Sequence, residues 1–116
     1  MILAMSAGIY NIFIEQGSDY QIILICTDDD GITPINFNSS VIVSQIRKND
    51  TAETLVGQFT TTGNSSGVIT LSLTGAESQS YVAGIHKYDV LVVGADSSRL
   101  RILEGNCTID PDITVV

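Results

Sequence analysis

Positive charge is scarce in this sequence. Five Lys and Arg stand against thirteen Asp and Glu, a formal charge of −8. Nucleic-acid binding draws its free energy from Lys and Arg that displace counterions from phosphates, and a chain that repels phosphate is unsuited to it. An anionic membrane surface is disfavoured on the same ground. Long apolar runs are also missing, since none approaches the roughly 18 residues needed to cross a bilayer. The opening Met1–Gly8 has no basic region and is too short for a secretory leader, so nothing here directs export. Histidine occurs only as His86, and cysteine only as Cys26 and Cys107. One His with two distant Cys has no paired spacing for zinc. Without an export signal, the cysteines are expected to be buried small hydrophobes, the alternative being a disulfide from an early strand to the last.

What is present points to strands. A chain of 116 residues suits one domain, and 44% hydrophobic against 16% charged residues calls for a folded core. Ile, Val and Leu dominate the apolar set and are joined by many Thr and Ser, which suit a pleated, half-buried surface. The runs Ile9–Glu15, Tyr20–Thr27, Val41–Lys48, Thr54–Thr61, Val68–Leu73, His86–Val93, Arg99–Glu104 and Asn106–Asp110 read as strands between turn-forming residues. Tyr20–Thr27 is apolar on both faces from Ile22 to Cys26, which predicts a central strand, and His86–Val93 predicts a second. In Val41–Lys48, Ile42, Ser44 and Ile46 share one face while Val41 and Val43 take the other. Thr74 with Glu77 has capping-box spacing and predicts a short helical turn near 74–80. The expected fold is an all-β, immunoglobulin-like antiparallel sandwich of seven or eight strands spanning 9–110. Segments 1–8 and 111–116 are expected to be terminal arms.

Few residues carry a case for chemistry. Gly63-Asn64-Ser65-Ser66-Gly67 matches the Gly-x-Ser-x-Gly elbow, but it joins two strands rather than a strand and a helix, so a hairpin loop is expected. Asp28-Asp29-Asp30 and the pair Asp110 and Asp112 offer oxygen ligands without the loop spacing calcium needs. His86 begins a strand without an orienting acid or a nucleophile in evident reach, and is expected to be an ordinary polar strand-end residue. No catalytic residue, metal ligand or cofactor is expected. The sequons at Asn38, Asn49, Asn64 and Asn106 carry no weight in a chain without an export signal. Arg47-Lys48 and Arg99/Arg101 hold most of the positive charge; Arg99 and Arg101 share a strand face. They either neutralise nearby acids or orient a partner with an acidic patch. The apolar ends, with Ile2, Leu3, Ile113, Val115 and Val116, are candidate contacts for a neighbouring subunit's sheet edge.

Two segments resemble a known group. Tyr10-Asn11-Ile12-Phe13-Ile14-Glu15-Gln16-Gly17-Ser18-Asp19-Tyr20 resembles the opening of small tailed-bacteriophage proteins that begin with an "Ile-Glu-Gln-Gly" strand. Leu103-Glu104-Gly105-Asn106-Cys107-Thr108-Ile109-Asp110-Pro111-Asp112-Ile113-Thr114 resembles their closing motif. The turn Asp28–Gly31 and the strand Gln45-Ile46-Arg47 fall between in matching order. These relatives look like immunoglobulin-like modules of tails, baseplates or fibre attachments, similar to the N-terminal domain of baseplate upper proteins. The chain departs from them in having no Trp. The resemblance implies a non-enzymatic virion part assembled in the bacterial cytoplasm, with tail or baseplate proteins and further copies of itself as partners. The alternative is a cell-surface module that binds carbohydrate or protein through its loops.

Overall fold

The computed structural model describes residues 8–28, 30–49 and 54–113. Ten strands and one short helix follow in order: β1 Gly8–Ile9, β2 Ile12–Glu15, β3 Tyr20–Ile25, β4 Val41–Val43, β5 Gln45–Lys48, β6 Leu55–Gln58, β7 Thr60–Gly63, β8 Val68–Leu73, α1 Gly75–Gln79, β9 Gly84–Val93 and β10 Arg99–Asp110. They lie on seven continuous runs, because single breaks at Ser44 and Phe59 and a two-residue break at Tyr10-Asn11 divide three of them. At Ser44 the hydroxyl donates to the Asp89 carbonyl at 2.6 Å, and the Ser44 carbonyl accepts from Phe59 N at 2.9 Å.

One sheet has β9 at its centre, with β10 on one side and β4 and β5 on the other; β6 extends it beyond β5, and β1 and β2 run parallel to β10. The second sheet has three strands in the order β3-β8-β7. The run carrying β6 and β7 therefore changes sheets at Phe59, whose buried ring packs 6.2 Å from Tyr20 and 6.3 Å from Tyr88. Counting runs, the second, fifth and fourth form one sheet and the seventh, sixth and third the other. That is the B-E-D and G-F-C order of an immunoglobulin-like sandwich.

The core follows from period-two alternation. Ile12 and Ile14, Ile42, Ser44 and Ile46, Ile69, Leu71 and Leu73, Tyr88 and Val90, and Cys107 and Ile109 are all buried, each separated by an outward residue. The strand Val68–Leu73 and the central place of β9 match the sequence reading. So does the helical turn: Glu77 N donates to Thr74 Oγ1 at 3.1 Å, and Thr74 N donates to Glu77 Oε1 at 2.9 Å. Buried Ser78 ties α1 to the β2–β3 turn, donating to Ser18 O at 2.8 Å and accepting from Gly17 N at 3.1 Å. Thr74→Ala removes one arm of the capping box and should cost about 1 kcal/mol in urea unfolding, whereas Thr74→Ser should cost almost nothing.

Three expectations need correction. β3 is an edge strand rather than a central one, and its outward Ile23 and Ile25 are exposed. Arg99–Glu104 and Asn106–Asp110 are one strand, because Gly105 stays in the ladder opposite Tyr88 where the carbonyl of Tyr10 lies against its Cα. His86 is buried, with its Nε2 2.7 Å from the Val82 carbonyl, since the residues before β9 fold over the ring.

Candidate functional site: the outer face of the large sheet

Because inward and outward residues alternate, the pairing registers dictate what the large sheet shows to solvent. Val41 pairs with Val93 and Val93 with Arg99, giving one row; Val43 pairs with Leu91 and Leu91 with Arg101, giving the next. The result is four adjacent apolar side chains, Val41, Val43, Leu91 and Val93, flanked on the β10 side by two arginines. The bulge at Ile102 makes the arrangement possible. It inserts an unpaired residue into β10, so that Arg101 and Glu104 both face outward.

Below the apolar rows the face turns polar. Asp89 pairs with Glu104, and Lys87 pairs with both Asn106 and Arg47. Arg101 Nε lies 3.1 Å from Asp89 Oδ2, and its Nη1 lies 3.9 Å from Glu104 Oε1. These pairs are exposed, so they contribute little to stability; they hold the guanidinium in place beside the apolar rows. Arg47 donates from Nε and Nη2 to Gln45 Oε1 at 3.2 and 2.8 Å. A surface depression of about 720 Å³ lies over this strip, lined by Asn11, Arg47, Lys87, Asp89, Arg101 and Asn106.

Other sequence candidates fall elsewhere. Arg99 and Arg101 share one face, and Arg101 both neutralises acids of its own chain and borders the apolar rows. Ile113 is fully exposed, while Ile2, Leu3, Val115 and Val116 lie outside the described residues. Ser65 sits in the β7–β8 hairpin, where Asn64 Oδ1 accepts from Ser66 N and Val68 N at 2.9 and 3.1 Å. Its loop belongs to the small sheet and His86 to the large one, and the polar contact of the His86 ring is with the Val82 carbonyl. The Asp30 carboxylate is occupied by its own turn, accepting from Ile32 N, Thr33 N and Thr33 Oγ1 at 2.9, 2.9 and 2.6 Å. These donors hold its pKa down at about 2. Asp29 lies outside the described residues. Cys26 and Cys107 are buried free thiols, the first of the two alternatives the sequence allowed.

The apolar rows were not marked as a site by the sequence. The alternation in Val41–Lys48 does place Val41 and Val43 on the face opposite Ile42 and Ile46. Leu91 and Val93 belong to a run apolar on both faces, and only cross-strand register brings the four together.

No protein-family model matches the chain, and comparison with curated proteins finds no match. Among solved structures, the chain is similar to a module described under "Structures of Clostridium thermocellum CbhA fibronectin(III)-like modules", at 17% identity and a TM-score of 0.43, over 97% of this chain and 96% of that one. The immunoglobulin-like assignment rests on the strand order itself.

Proposed function

We propose that this chain is a non-catalytic structural module of a tailed-phage virion, a tail, baseplate or fibre-attachment part that works through protein–protein contacts. The observation that carries the contact role is the outer face of the large sheet, where Val41, Val43, Leu91 and Val93 lie together beside Arg99 and Arg101. A desolvated apolar centre supplies affinity, and charges at its rim set orientation and association rate. The face suits a partner with an apolar ridge and an acidic border. The phage assignment itself draws its support from the matching opening and closing segments, Tyr10–Tyr20 and Leu103–Thr114. Assembly in the host cytoplasm accords with two free thiols. The terminal residues Ile2, Leu3, Ile113, Val115 and Val116 are secondary contacts in this reading, and trimming residues 1–7 should weaken assembly while leaving the sandwich folded.

Mass spectrometry of purified particles from infected cells tests the assignment: the chain should be a stoichiometric component, and its absence overturns the reading. Within particles, Leu91→Asp should reduce incorporation at least tenfold, equivalent to about 1.4 kcal/mol of contact energy. Arg99→Glu with Arg101→Glu should chiefly slow association and change its salt dependence.

A second reading is a carbohydrate-binding surface, favoured by the exposure of Tyr10 and Phe13 beside β10. Aromatic rings in water are natural platforms for sugar faces. Glycan-array binding by the isolated chain, lost in Phe13→Ala, would replace the virion reading with this one.

A further inference from the structure

The small sheet carries no charge. Tyr20–Ile25, Val68–Leu73 and Thr60–Gly63 contain no Asp, Glu, Lys or Arg, in a chain with eighteen such residues, thirteen acidic plus five basic. Its outer face reads in rows as Gln21–Ser72–Thr60, Ile23–Thr70–Thr62 and Ile25–Val68. β3 forms one edge of this sheet, and no strand lies on its other side among the described residues.

That edge is open in its backbone as well. Cys26 N donates to Gly67 O at 2.7 Å, directly beyond the Ile25–Val68 pair. In an antiparallel ladder, bonding groups alternate between the two sides of a strand. The amides and carbonyls of Gln21, Ile23 and Ile25 therefore point away from β8. Ile23 is 57% and Ile25 78% exposed. Natural sheets blunt such an edge with Lys, Pro, a bulge or an inward charge, and β3 has none of these.

We propose that β3 pairs antiparallel with β3 of a second copy of this chain, across a two-fold axis at Ile23. The two three-stranded sheets would join into one of six strands through an isologous contact. Charge selects the occupant: copies that each carry −8 repel, and the uncharged sheet is where they approach at least cost. Register supports it too. An axis at Ile23 sets Ile23 against its counterpart and Gln21 against Ile25, so all three outward backbone positions find partners inside the strand. Asp19 then falls opposite Thr27 rather than another acid. This contact lies on the sheet opposite the partner face, and it stands whether or not the chain is a virion part.

Light scattering of the full chain, from micromolar to millimolar concentration, tests the contact. The mass should reach twice the 12.4 kDa of one chain. Ile23→Lys sets two ammonium groups opposite each other and should weaken dimerisation at least tenfold. Ile85→Lys makes the same change at an exposed position of the large sheet and should leave the dimer intact. Ile23→Cys should form a disulfide-linked dimer on oxidation, since paired positions lie about 5.5 Å apart between Cα atoms, within disulfide reach. Circular dichroism of each variant checks that the fold is retained. A wild-type monomer at every concentration overturns the proposal, as does an Ile23→Lys protein that stays dimeric or an Ile85→Lys protein that dissociates equally.

Discussion

Gly67→Ala should destabilise the protein by about 3 kcal/mol or more, measured by urea unfolding, and part of the population should be unfolded at 37 °C. Two independent costs meet at this residue. Its φ is +77°, a left-handed conformation that charges any Cβ-bearing residue about 1 kcal/mol or more. The second cost is steric. A Cβ built there overlaps the carbonyl oxygen of Cys26, and it comes within 3.1 Å of Ile35 N. Both neighbours are backbone, so no side chain can swing aside. The oxygen it would strike also accepts from Ile35 N at 3.2 Å, while Gly67's own carbonyl accepts from Cys26 N. Relief by movement breaks the bonds that fasten the end of β3 to the β7–β8 hairpin and the following loop to the end of β3. Gly31→Ala is the comparison: its φ is +73°, yet nothing lies within 4 Å of the added carbon. It should cost about 1 kcal/mol, the conformational part alone. Equal losses at the two positions would show that backbone conformation, rather than the contact with Cys26, makes Gly67 necessary.

The same hairpin shows what was legible in the sequence and what was not. Val68–Leu73 could be read in full, since a strand with one apolar face leaves a period-two trace and needs no partner to interpret it. The capping box at Thr74 and Glu77 was equally local, as was the alternation of Ile42, Ser44 and Ile46. β3 misleads because apolar residues on both faces are the signature of a buried central strand and equally of an undefended edge. Only the neighbours distinguish them, and those are set by topology. Gly105 misleads for the opposite reason. A glycine inside a strand pattern looks like a break, while here it lets the Tyr10 carbonyl approach. The candidate site was partly visible: Arg99 and Arg101 were placed correctly on one strand face. The apolar rows are not legible in the sequence, because they depend on pairing residues about fifty positions apart, and it takes the bulge at Ile102 to set the arginines on the same outer face while Cys107 and Ile109 point inward.

Alkaline pH should unfold this protein through groups that the core keeps protonated. Cys107 is fully buried, and burial pushes its thiol from the ordinary 9.0 up to about 12. Tyr88, buried with its hydroxyl donating to the Tyr10 carbonyl at 2.5 Å, is raised well above the usual 10.0, chiefly by burial and then by repulsion from neighbouring ionisable groups, Tyr20 first. Tyr20 is raised to about 12, again chiefly by burial. In each case the charged form is the deprotonated one, so the folded chain holds protons that the unfolded chain has released. Stability is therefore complete below the unfolded values, near pH 9 to 10, and falls as pH rises towards the folded ones. For Cys107 alone, a rise of about three units at about 1.4 kcal/mol each amounts to about 4 kcal/mol lost by pH 12. A loss of that size is a large part of the 5–15 kcal/mol typical of a domain. Urea unfolding from pH 7 to pH 12 should give a flat region up to about pH 9 and a steep decline above it. Cys107→Ala should start lower, because a small cavity opens beside Ile12 and His86, its register partners. Its decline between pH 9 and pH 12 should nevertheless be shallower by about the Cys107 contribution. Parallel curves for the two proteins would mean that this thiol does not titrate with unfolding, leaving Tyr88, Tyr20 and Cys26, whose thiol burial also raises, to account for the alkaline transition.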